Sequence, residues 1–82
     1  MAIVLLPGLL AAQAGGRKRF EVEAATVGEA LRALPVSDLV LDERGEVRPL
    51  VHVYLDGERE RDLTTPVGDR SRVLIVAAIA GG

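Results

Sequence analysis

Val73-Leu74-Ile75-Val76-Ala77-Ala78-Ile79-Ala80-Gly81-Gly82 are the last ten residues, and their reading decides the fold. Val73 to Ile79 is unbroken apolar sequence, rich in β-branched side chains. A membrane-spanning helix needs about 20 such residues. A short apolar run is the pattern of a central strand covered on both faces. Side chains alternate along a strand, so Val73, Ile75 and Ala77 share one face and Leu74, Val76 and Ala78 the other.

Upstream of this strand the segments fall into place around it. Leu50 to Leu55 alternates, with Val51, Val53 and Leu55 on one side and His52 and Tyr54 on the other. Asp56-Gly57 is a turn signal. Glu58 to Leu63 reads as a short charged edge strand, whose charges discourage unwanted pairing. Thr64 to Ser71 reads as a loop. Ser37 to Pro49 contains the polar turn Asp42-Glu43-Arg44-Gly45-Glu46, with Leu39 and Leu41 expected to pin the segment to the core.

The first half supplies two more strands and a helix. Ile3-Val4-Leu5-Leu6 is a buried strand stopped by Pro7-Gly8, and Arg19 to Ala24 is a half-buried one with Phe20, Val22 and Ala24 inward. The pair forms a hairpin with a long loop that carries Leu9 and Leu10 and turns at Gly15-Gly16. Thr26-Val27-Gly28-Glu29 is a capping box. Val27, Ala30, Leu31 and Leu34 follow at one helical face, and Pro35 ends the helix. Gly28 weakens the helix near its start. Two strands, a crossover helix and further strands ending on a long apolar one amount to an α+β fold of the β-grasp, ubiquitin-like type. The sheet is mixed and the crossover right-handed. The expectation is one domain over residues 1–82, with a flexible Gly-Gly tail at about 79–82.

Composition removes several function classes. The formal net charge is −2, with acids and bases interleaved as in Glu58-Arg59-Glu60-Arg61-Asp62, which argues against a nucleic-acid binder. There is no cysteine and one histidine, so thiolate zinc sites, a Cys nucleophile and disulfides are excluded, and no metal site is expected. Ser37 and Ser71 have no base at a recognisable spacing, which argues against a hydrolase. Chains of this size bury only roughly 60–65% of their unfolded surface, leaving little core in which to enclose an active site. Ala12-Gln13-Ala14 resembles a signal cleavage site, but no positive residue precedes the apolar run and Pro7-Gly8 interrupts it. The cytoplasm is the expected compartment, with no membrane partner.

The chemistry therefore falls on the tail. Gly81 and Gly82 have no Cβ, so this segment can slide through a narrow channel and bring its carboxylate close to a nucleotide. A bare carboxylate is a poor acyl donor. Attack on the α-phosphate of ATP would make it an acyl-adenylate, and sulfur transfer would then give a thiocarboxylate. No catalytic side chain on this chain is required.

Leu6-Pro7 through Leu9-Leu10 to Gly15-Gly16, Thr26-Val27-Gly28-Glu29-Ala30-Leu31, Arg48-Pro49-Leu50-Val51-His52-Val53-Tyr54-Leu55 and Val73 to Gly82 together resemble the ubiquitin-like sulfur-carrier family. That family includes the molybdopterin synthase small subunit and the thiamine-pathway carrier, and the resemblance is strongest to the carriers that feed cysteine synthesis. It implies a co-substrate rather than an enzyme, or the small subunit of a synthase. Its partners would be a ubiquitin-activating-type adenylating enzyme, which uses the ATP, and a sulfur-accepting synthase or thiolase. Asp69-Arg70-Ser71 stands where members often have Asp-Gly-Asp, Ala77-Ala78 where a proline is frequent, and His52 and Asp56 where many have Asn.

Beyond Gly81 and Gly82, six residues are candidate partner contacts. A single helix covers one sheet face in a domain this small. By similarity to ubiquitin, Val73 and Ile75 face it, which leaves Leu74 and Val76, beside His52 and Tyr54, as an exposed docking patch. The competing reading is ordinary scattered surface apolarity. His52 on the outward face reads as a contact residue rather than a catalyst. Arg70 and Arg72 either meet acidic groups of the adenylating enzyme or belong to a solvated loop. Two other roles stay open for the whole chain: a protein modifier joined to lysines through Gly82, and an interaction module without tail chemistry.

Overall fold

The structure, a computed structural model, describes residues 1–77; the expectations placed on Gly81, Gly82 and the tail from residue 79 lie outside the described residues. In chain order the elements are β1 (Ala2–Leu5), α1 (Gly8–Gln13), β2 (Arg19–Val22), α2 (Val27–Arg32), α3 (Ser37–Val40), β3 (Val51–Leu55), β4 (Glu58–Arg59) and β5 (Arg72–Ala77). The strands make one mixed sheet in the order β2-β1-β5-β3-β4. β5 is its centre, parallel to β1 and antiparallel to β3. This is the β-grasp arrangement.

α2 begins where the capping box puts it. Thr26 Oγ1 accepts from Glu29 N–H at 3.2 Å. The Glu29 carboxylate reaches back to the N–H of Ala25 at 3.0 Å, one residue before the usual partner in such a box. Val27, Ala30, Leu31 and Leu34 are buried as one face against the sheet, where Val4, Val53, Val73 and Ile75 are buried in turn. Gly28 has a packing reason. Its N–H donates to Leu63 O at 2.9 Å, and a Cβ there would meet that same oxygen at 3.2 Å.

Four expectations need correction. The long loop between β1 and β2 contains α1. Ala11 N–H donates to Pro7 O, and the Ala14 and Gly16 N–H groups both close on Ala11 O, so Gly15 and Gly16, at positive φ, end a helix. Leu39 does not pin its segment: α3 turns it outward at 40% exposure and buries Val40 instead, beside the buried Leu41. The edge strand β4 is two residues long, not the span to Leu63. After Glu60 the Asp62 carboxylate accepts from both the N–H and the hydroxyl of Thr64, turning the chain towards α2. β5 is covered on one face only, because both longer helical faces sit on the same side of the sheet.

Candidate functional site

The region around the end of β5 is built by register. In the β3–β5 ladder Tyr54 stands opposite Leu74 and His52 opposite Val76. Directly opposed residues in an antiparallel pair point to the same face. These four therefore make one patch on the outward face, with Leu74 41% and Val76 38% exposed and both ring side chains half-buried. Val73, Ile75 and Ala77 point the other way, into or towards the core.

Sequence reasoning missed the third column of this patch. β1 lies parallel to β5 with Leu5 beside Leu74 and Ile3 beside Arg72. Ala2, Val4 and Leu6 are buried, while Ile3 and Leu5 are half-buried on the outward face. Ile3 to Leu6 is apolar at every position, so period two could not separate the rows; only the pairing with β5 does.

A second apolar surface was also missed. On the core-facing side, Leu9 and Gln13 of α1, Leu39 of α3, Pro49, Leu50 and Ala77 line an open groove. Leu9 is 54% and Leu50 55% exposed. Ala77, the last described residue, thus faces the groove, and the patch of Leu74 and Val76 lies on the opposite face of the sheet.

Arg70 and Arg72 are both exposed; Arg70 lies in the turn before β5, while Arg72 opens β5 on the same outward face as Leu74 and Val76, at the edge of the patch. Arg72 is fixed by its backbone, not its guanidinium: its N–H donates to Asp56 Oδ1 at 2.9 Å, and Asp56 N–H donates to Arg72 O at 2.9 Å. Beside Arg70, the Asp69 carboxylate meets the Met1 ammonium at 2.7 Å, and that hydrogen bond and charge hold its pKa below the ordinary 3.8. Among the described residues no three His, Cys, Asp or Glu side chains gather as a metal would need, and no helix is long and apolar enough to cross a membrane.

The comparisons with known proteins agree with this geometry. The Amycolatopsis orientalis CysO chain, solved in complex with BexX, has TM-score 0.81 and 26% identity, with 100% of both chains covered. Mycobacterium tuberculosis CysO has TM-score 0.85 and 25% identity, over 96% of this chain and 100% of that one. SAMP1 from Haloferax volcanii has TM-score 0.78 and 28% identity, over 99% and 98%. No family profile and no curated protein sequence matches. These structural neighbours are ubiquitin-like sulfur carriers and modifiers, and this chain resembles them along its length.

Proposed function

We propose that this protein, which resembles ubiquitin-like sulfur carriers and modifiers, works as a sulfur carrier through the carboxylate of Gly82. One observation carries the reading. The apolar patch joins Tyr54 and His52 of β3 to Leu74 and Val76 of β5, the strand whose sequence runs on to Gly81-Gly82, so an enzyme gripping the patch brings the tail close to its own reactive site. Positioning of that kind contributes a large part of many rate enhancements.

The chemistry balances without a side chain of this protein. An oxygen of the Gly82 carboxylate attacks the α-phosphorus of ATP, the bond to the β-phosphate oxygen breaks, and pyrophosphate leaves. Hydrosulfide then attacks the acyl carbon, AMP leaves with the bonding pair, and a thiocarboxylate remains after proton loss. In this reading ATP belongs to the adenylating partner, and a second partner, a synthase or thiolase, takes the sulfur. Arg70 and Arg72, both exposed next to the patch, meet acidic groups of the first partner. The absence of cysteine suits a reducing cytoplasm.

A second reading, conjugation to lysine side chains through Gly82, draws on the likeness to SAMP1, a small archaeal modifier protein. Deleting Gly82 tests what the two readings share. ATP–pyrophosphate exchange with the cognate adenylating enzyme should vanish while the circular dichroism spectrum stays native. Undiminished exchange by the truncated protein would exclude both readings.

A further inference from the structure

The edge strand β2 carries a charge pattern that has no use in the carrier chemistry. β2 ends the sheet, so among the described residues one side of its backbone has no strand beside it. Which groups face that side follows from the ladder with β1. Leu6 N–H donates to Lys18 O, and bonded pairs alternate along an antiparallel ladder, so Phe20 and Val22 also bond inward. Arg19 and Glu21 therefore direct their N–H and C=O groups to the open edge. Their side chains lie exposed on the outward sheet face and pair with each other at 3.4 Å. Charged side chains commonly blunt an unpaired edge, because a second edge would have to bring its own charges against them. Here the two charges have opposite sign and flank one aromatic residue.

We infer that β2 pairs antiparallel with β2 of a second copy of this chain, about a two-fold axis at Phe20. In that register Arg19 faces Glu21 of the second copy and Glu21 faces its Arg19. Both residues have free backbone groups on that side, so the positions that match in charge also match in hydrogen bonding. Phe20, the only phenylalanine, meets its counterpart at a non-bonded pair, where side chains approach most closely. It is half-buried, with the Arg17 guanidinium 4.7 Å from its ring centre, so pairing covers an apolar surface that the monomer leaves partly open. A two-fold contact is closed and does not propagate along this edge. β1 separates β2 from β5, so the patch around Leu74 and Val76 stays open in the dimer.

Sedimentation equilibrium on the full chain at low salt, from ~10 µM to ~1 mM, spans the range in which a short-edge dimer forms. The weight-average mass should rise towards twice that of the monomer, and added salt should lower it. Arg19→Glu and Glu21→Arg each place like charges opposite each other twice, and each should weaken self-association roughly tenfold or more. An equimolar mixture of these two variants restores opposite charges at both contacts and should associate at least as well as the unaltered chain. Thermal melting of each variant checks that it folds. A chain that stays monomeric at the highest concentration overturns the inference. So do single variants that associate undiminished, or folded variants whose mixture fails to associate.

Discussion

Asp56 and Arg72 hold each other by two backbone-directed hydrogen bonds, one through the Asp56 carboxylate and one through its N–H, both 2.9 Å. Asp56 does this from the left-handed region, at φ 51, as the first residue of the turn completed by Gly57 at φ 89. One side chain thus shapes the β3–β4 turn and fixes the start of β5.

Replacing it separates those two tasks. Asp56→Ala loses the acceptor and strains the backbone, and should cost about 1–2 kcal/mol. Asp56→Asn keeps an oxygen acceptor and tolerates positive φ, so it should cost less than half as much. Urea denaturation of both variants checks this; equal losses would mean that the carboxylate charge, not the acceptor geometry, matters.

Leu31 is fully buried on α2 within the core that includes Val51, Val53 and Ile75. Leu31→Ala should cost about 2–5 kcal/mol, a large share of the ~5–15 kcal/mol typical of a whole domain. A loss below ~1 kcal/mol in denaturant titration would show that the site collapses around the smaller side chain.

Most of the fold was legible because its signals are local. The capping box at Thr26, the Asp56-Gly57 turn and the alternation of Val51 to Leu55 each act over a few residues, and all of them stand in the structure. What escaped has a common cause. α1 is as short as α2 but has no side-chain cap to mark its start, and its run Leu9-Leu10-Ala11-Ala12 is apolar at every position; α3 has only four residues, and Leu39 and Val40 swap sides with a small change in backbone direction. The columns of His52, Tyr54, Leu74 and Val76 could be read from period two. Leu5 could not, because its membership depends on a pairing with Leu74 across most of the chain. The groove at Leu9 and Leu50 depends on α1 and was invisible for the same reason.

The Asp69–Met1 contact gives a pH-dependent prediction. A carboxylate whose folded pKa lies below 3.8 contributes stability above that value and loses it as pH falls through the folded pKa. Asp69 is exposed, so the effect on global stability should be small. Acetylating the N-terminus removes the ammonium, and the Asp69 pKa followed by NMR should rise back towards its ordinary value. No change on acetylation would mean that the ion pair does not persist in solution.

Leu74→Asp and Val76→Asp place a charge on the outward patch. Desolvating it against an apolar partner surface should cost several kcal/mol of binding to the adenylating enzyme. Both side chains are exposed in the free protein, so the melting temperature should change little. Calorimetric titration beside thermal melting tests this. Normal binding by both variants would move recognition elsewhere, to Arg70 and Arg72 or to the groove beside Ala77.

The most direct measurement of the carrier role uses the absence of cysteine. The protein is incubated with its adenylating enzyme, ATP and hydrosulfide, treated with iodoacetamide at neutral pH, and its intact mass and fragments are recorded. With no thiol in the chain, a thiocarboxylate is the strongest nucleophile available to the reagent. The account predicts one carbamidomethyl group, placed by fragmentation at Gly82, that appears only when ATP and hydrosulfide are both present. A chain that forms the adenylate yet never acquires the label, or that goes instead to a stable amide on lysine, would contradict it.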